Sequence, residues 1–184
     1  MRKIATLFVR DPEHRSRVLP TVTPGCAWVL QGEGTPTRKW DGTCVMLDAA
    51  GAWWARREVK PGKTAPPGYV PVETDEVTGR TVGWEPVGQS GFAKLHAEAV
   101  ARGDATAPGT YELLGPKINR NPDGWESHVL MPHGWAPPAV QQDCATAPRD
   151  FDGLRVWLLD RPYEGLVWHH EDGRMAKLKA CDFR

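Results

Sequence analysis

The chain has 184 residues, about one domain by the usual relation of length to core size. Its 23 basic residues balance 23 acidic ones, which argues against a wholly polybasic nucleic-acid-binding surface and leaves a local basic cleft open. A hydrophobic fraction of 40% with nine tryptophans argues against wholesale disorder.

The longest apolar runs, such as Cys26–Leu30, are too short to cross a bilayer, and the first residues form no secretory apolar stretch. A soluble, cytoplasmic, monomeric protein with no membrane partner is the expectation. Cys26, Cys44, Cys144 and Cys181 form no C-x-x-C pair or cysteine–histidine ladder, so they read as ordinary thiols and zinc is not indicated.

In chain order, Ile4–Val9 and Ala27–Leu30 read as strands. Cys44–Leu47 and Trp53–Arg57 read as a hairpin closed at Gly51. Pro61–Pro86 carries neither period and reads as an irregular insertion. A helix follows, with Ser90 as its cap, Phe92, Leu95 and Ala99 on one face and Gly103 past its end. Tyr111–Gly115 reads as a short strand. Asp150 to Leu159 reads as a helix with acids at its start and Leu154, Trp157 and Leu158 inward. A last hairpin joins Gly165–His169 to Arg174–Ala180 through Asp172-Gly173. Seventeen prolines and nineteen glycines favour these short pieces over long helices.

Charge is uneven. Residues 1–60 carry ten basic groups against six acidic ones, so the positive excess lies beside Lys39-Trp40-Asp41-Gly42. On a continued strand, Lys39 and Asp41 share a face. A lysine near a carboxylate, followed by a glycine that admits a ligand, suits a nucleophile attacking phosphorus. That attack needs the neutral amine, whereas free lysine has a pKa of about 10.4, so other cations or a metal should gather near it. Lys177 and Lys179 fall on one face of the last hairpin, in the strand paired with the one that begins at Glu164-Gly165. A carboxylate for Mg²⁺ and two cations for a triphosphate are the parts that nucleotidyl transfer requires. Glu112 stands as one acid among apolar neighbours and needs a donor, which a ribose hydroxyl would supply.

The ordered set Lys39-x-Asp41-Gly42, Arg57, Glu112, Glu164-Gly165-x-Val167 and Lys177-x-Lys179 resembles the motif set of the covalent nucleotidyltransferase superfamily. DNA ligases, RNA ligases and mRNA capping enzymes belong to it. Longer strings, from Gly32-Glu33-Gly34 through Thr43-Cys44, Tyr111–Pro122, His128–Gly134 and Glu164–His169, resemble the small ATP-dependent 5′–3′ RNA ligase family first recognised in vertebrates.

The resemblance implies an α+β nucleotidyltransferase domain over 1–184, an ATP-grasp-like ligase catalytic fold of antiparallel sheets flanked by helices. No OB-fold or helical appendage is expected after the last motif. It implies ATP and Mg²⁺ as cofactors and RNA with 5′-phosphate and 3′-hydroxyl ends as partner, in RNA repair. Lys39 would form the lysyl-adenylate and Asp41 would orient it or its metal-bound water. Glu164 would hold Mg²⁺, with Asp41 as a second metal candidate, and Lys177 and Lys179 would grip the α-phosphate. Arg57 or Arg56 would hold ribose or phosphate, only one of them facing the site by strand alternation. Glu112 would bind ribose, with Thr37 and Gly42 also against ATP.

Arg38 stands where relatives often carry an acid. Together with Lys60 and Lys63 it is a candidate RNA contact. His128 and His133 fit structural roles better than nucleotide contact, and His169-His170 face opposite ways on a strand rather than pairing on a metal. Trp84, Trp125 and others remain open as the ring that stacks on adenine. The alternatives are a small ATP-dependent DNA ligase, and a nucleotide- or RNA-binding module that keeps the fold without the chemistry.

Overall fold

The computed structural model describes residues 1–103, 105 and 107–184. Its first elements are β1 (Ala5–Thr6), β2 (Phe8–Arg10), β3 (Val18–Val22), α1 (Ala27–Leu30), β4 (Thr35–Lys39) and β5 (Thr43–Leu47). Then come β6 (Trp53–Val59), β7 (Val70–Thr74), β8 (Thr81–Pro86), α2 (Ala93–Ala101), β9 (Gly109–Leu114) and β10 (Val129–Pro132). The last are α3 (Pro138–Ala145), α4 (Phe151–Leu159), β11 (Gly165–His169) and β12 (Met175–Lys179), with a closing 3-10 turn over Ala180–Phe183. The architecture is α+β, with mainly antiparallel sheets and few helices. Among the described residues no helix is long and apolar enough to cross a membrane.

The chain divides into two compact units, one of Ile4–Trp40 with Gly134–Arg184 (the terminal unit) and one of Met1–Lys3 with Asp41–His133 (the central unit). The terminal unit holds the four-stranded sheet β1-β12-β11-β4, in which only β1–β12 is parallel, and the small β2-β3 ribbon. Strand alternation sends Leu166, Trp168, Ala176 and Leu178 to one face, where they form a core with Leu154, Trp157 and Leu158 of α4. Asp150 caps α4 by accepting from the Gly153 amide at 2.8 Å. The central unit is the six-stranded antiparallel sheet β10-β9-β5-β6-β8-β7. Its core joins Val45, Tyr111, Leu113 and Leu130 to Ala99 of α2, and the Trp53 ring stands edge-on to His96.

Four expectations need correction. Ala27–Leu30 is one helical turn, bounded by Gly25 and Gly32 at positive φ, because a four-residue apolar run has no length from which to tell strand from helix. Ile4–Val9 splits at Leu7 into β1, which pairs with β12, and β2, which pairs with β3. Pro61–Pro86 contains β7 and β8. Of its five prolines two fall in strands, on the edge strand (Pro71) and at a strand end (Pro86), where a missing amide costs no ladder bond. Ser90 does not cap α2; its hydroxyl donates to Val87 O at 2.8 Å, and the helix begins after Phe92. The helix α3 went unread because its apolar pattern is weak, with only Cys144 buried.

Candidate active site

Lys39 closes β4 and pairs in register with Gly165, which pairs in turn with Lys179. Directly opposed residues share a face, so Lys39, Lys179, Lys177, Val167, Thr37 and His169 all stand on the face turned away from the core. Glu164 lies just before β11 and receives both end lysines. Lys39 Nζ donates to its Oε2, and Lys179 Nζ lies 2.5 Å from its Oε1. The Lys39 and Glu164 side chains are 21% and 14% exposed, so this pair is shielded rather than a solvated surface bridge. A Cβ on Gly165 would overlap the Leu178 carbonyl oxygen, so glycine lets β11 lie close enough to β12 for Glu164 to reach Lys179. Burial pulls the Lys179 pKa down, but its hydrogen bond to Glu164 and that carboxylate's charge outweigh burial and leave it raised. Asp182, buried, accepts from the Lys179 amide at 2.9 Å and from Arg10 Nη2 at 2.8 Å, which fixes the end of β12.

Thr37 is buried, with its hydroxyl donating to Val167 O at 3.2 Å. His169 Nε2 lies 3.1 Å from the same oxygen, so Nε2 is the protonated nitrogen and donates. Arg38 points to the opposite face from Lys39. Its guanidinium carbon lies 4.1 Å from the Trp40 ring centroid and 4.4 Å from that of Tyr163, a cation between two aromatic faces. Tyr163 in turn bonds Asp143, which takes Arg161 through both carboxylate oxygens. The residues beside Lys39 and Glu164 are therefore braced by one aromatic–cation stack. Arg38 is occupied by that stack.

In the central unit the register fixes a second face. Glu112 opposes Cys44 on β5 and Met131 on β10, and Met46 opposes Trp54 on β6. Alternation then puts Arg56 on the Glu112 face and Arg57 on the other, with Trp53 and Ala55. Arg57 is largely exposed, with Nη1 3.9 Å from the buried Glu85. Arg56 keeps Nε and Nη2 buried, with no hydrogen-bond partner among the described residues. Of the two arginines left open by the sequence, Arg56 is the one that shares a face with Glu112.

Glu112 Oε2 accepts from His133 Nε2 at 2.8 Å, and His133 Nδ1 lies 2.9 Å from the Thr110 hydroxyl. Asp41 falls beyond the end of β4 and in the central unit, so strand alternation does not put it on a face with Lys39. Its Oδ1 accepts from Asn119 Nδ2 at 2.9 Å, and the same Nδ2 donates to Gly42 O at 2.8 Å. A Cβ on Gly42 would overlap the Leu113 carbonyl oxygen and crowd Glu112 Cγ; the close approach that glycine permits here is to β9.

The sequence gives His133 a structural reading and Asn119 no role of its own. No local signal marks His133: it falls two residues past Met131, and the β9–β10 register that pairs Met131 with Glu112 is what brings it there. Lys60 and Lys63 stand exposed in the turn after β6, where the Lys63 amide donates to Lys60 O at 3.1 Å. His128 is buried, its Nδ1 2.7 Å from Glu98, and packs against Gly115, a structural placement. His170 bonds Glu33 and Asp172 at the hairpin tip, whereas His169 turns to Thr37. Trp84 is buried on the Arg56 face, its register partner, and Trp125 is half-buried beside Asn121.

No family model matches the chain. Over 80 residues the chain is 41% identical to RNA ligase 1 of Danio rerio, a stretch covering 38% of this chain and 22% of that relative. The chain thus spans less than a quarter of the length of the curated relative it matches.

Proposed function

We propose that the chain is an ATP-dependent RNA ligase that works through a covalent Lys39–AMP. The observation that carries the reading is the meeting of Lys39 and Lys179 on Glu164, three residues brought together from 125 and 15 positions apart. The partial likeness to an RNA ligase supports the same class of acceptor.

In the first step the Lys39 amine attacks the α-phosphorus of ATP. A nitrogen–phosphorus bond forms as the bond to the bridging β-oxygen breaks, and pyrophosphate leaves. The ammonium proton is lost to water before the attack, which frees the amine from its ion pair with Glu164. Lys179 and Lys177 stand on the same sheet face to stabilise charge building on the α-phosphate and leaving group. Glu112, held by His133, accepts from ribose hydroxyls, and Arg56 on the same face, its Nε and Nη2 without a hydrogen-bond partner among the described residues, offers donors for an anionic oxygen. AMP then passes to an RNA 5′-phosphate oxygen as the nitrogen–phosphorus bond breaks. A 3′-hydroxyl finally attacks that 5′-phosphorus, sealing the strand and releasing AMP.

The Glu164 carboxylate suits Mg²⁺, which takes one or two carboxylates and leaves its other positions to water and phosphate. Glu164 would hold it, with Asp41 as the second carboxylate. When bound it supplies charge neutralisation to the triphosphate.

The test uses ATP labelled at the α-phosphate. Wild type should take up label that survives denaturation and is discharged by pyrophosphate, and Lys39→Ala should never take it up. Single-stranded RNA with 5′-phosphate and 3′-hydroxyl ends should then be sealed in preference to nicked DNA. The reverse ranking identifies a DNA ligase, and a wild type that never labels identifies a binding module.

A further inference from the structure

Asn119, Arg120 and Asn121 hold φ values of 44, 64 and 53°, three consecutive non-glycine residues in the left-handed region. L-residues seldom enter that region except as single asparagines or aspartates, so the run persists only because its surroundings fix it. The fixings are visible. Asn119 Nδ2 is tied to Asp41 Oδ1 and Gly42 O. Asn121 exchanges two hydrogen bonds with the Trp125 backbone, at 2.9 and 2.8 Å, and its amide donates to Ile118 O at 2.7 Å. Ile118 is itself buried in the central core.

Two asparagines, the residues that tolerate this conformation, thus serve as anchors. Arginine between them has no such tolerance, and its side chain is what the strained turn displays. Arg120 is exposed and makes no hydrogen bond or ion pair among the described residues, although carboxylates follow at Asp123 and Glu126. Lys117, also exposed and unpaired, lies three residues before it. The turn is tied directly to Asp41, two residues along the chain from Lys39.

We propose that Arg120 is an RNA-binding residue that contacts a backbone phosphate of the strand being joined, and that the strained turn exists to present it. The inference rests on the reading of the chain as an RNA ligase. Its ligand is a phosphate, which could belong to RNA or to ATP; RNA is favoured because the donors assigned to ATP already lie on the Glu112 face and around Glu164.

The experiment measures binding of a 5′-phosphorylated single-stranded RNA to the full chain across a salt series, with self-adenylation followed in parallel. Arg120→Gly and Arg120→Asn both suit a positive φ, so at least one should fold as wild type does, and circular dichroism identifies which to read. The neutral variant should bind RNA about 5- to 10-fold more weakly at low salt. Its slope of log affinity against log salt should be shallower by about 0.7, the value for one lost phosphate contact on a single strand. Arg120→Lys should keep the slope, and adenylation should be unchanged in all variants.

Wild-type affinity and slope in the neutral variant would overturn the proposal, as would equal losses in Arg120→Lys. Slowed adenylation would overturn it in favour of an ATP phosphate. If wild type fails to adenylate while the salt slope still falls in the neutral variant, the ligase reading fails and the phosphate contact stands.

Discussion

The two units treat charge in opposite ways. In the terminal unit Glu164 takes two lysines, Lys39 among them, and Arg38 lies between two aromatic rings. In the central unit the Arg56 nitrogens Nε and Nη2 are buried with no hydrogen-bond partner among the described residues, and Glu112 is met by His133. Burying a donor without an acceptor typically costs about 1–3 kcal/mol, so a ligand that supplies the acceptor recovers that cost. The lesson is that one half of the proposed chemistry starts from contacts that must be broken, and the other from contacts still to be made.

The largest expected effect breaks the first half. Glu164→Gln removes the charge that holds both lysines while keeping the shape. Self-adenylation should fall at least about 100-fold in a single-turnover labelling assay, the scale of losing a transition-state electrostatic group. Next, Arg56→Ala should lower kcat/KM for ATP by about 10- to 100-fold, the loss of one or two charge-assisted hydrogen bonds. Arg57→Ala, one position away on the opposite face, should leave ATP use unchanged and cost about 1 kcal/mol in urea unfolding, because its partner Glu85 is buried while Arg57 itself is exposed. Equal kinetic losses at 56 and 57 would break the register argument.

Smaller again, His133→Gln should raise KM for ATP by about 3- to 10-fold with little change in kcat. It leaves Glu112 in place but loosens the group that orients it. A fall in kcat at unchanged KM would give His133 a different role.

The units should also separate by pH. Burial pushes the Cys144 thiol up to about 11, and burial with a hydrogen bond to Asp143 pushes Tyr163 up to about 12. Their unfolded forms release protons from about 9 and 10, so this stability is complete below pH 9 and lost as pH rises through the folded values. Lys179, also raised, adds a loss in the same direction above 10.5. In the central unit burial lowers the pKa of His96, so stability is complete above 6.5 and lost as pH falls below it, before carboxylates titrate. Urea unfolding read by NMR signals of each unit should show the central unit weakening first near about pH 5.5 and the terminal unit first near about pH 11.

Much of this was legible in the sequence where short-range rules apply. The turn at Asp172-Gly173 and the period-two pattern placed Lys177 and Lys179 on one face, and Asp150 capped the helix it preceded. What the sequence could not show depends on register between distant strands. Arg56 and Arg57 differ only in which face the β5–β6–β9 pairing gives them. His133 reaches Glu112 only because β10 pairs with β9. Likewise Asp41 left the Lys39 strand because β4 stops at Lys39, a boundary that no local signal marks.

The most direct measurement is peptide-mapping mass spectrometry of the full chain after incubation with ATP and Mg²⁺. One AMP increment on the peptide holding Lys39, removed by pyrophosphate and absent in Glu164→Gln, is the predicted result. An AMP increment on another lysine, or none on an otherwise folded chain, would contradict the proposed chemistry.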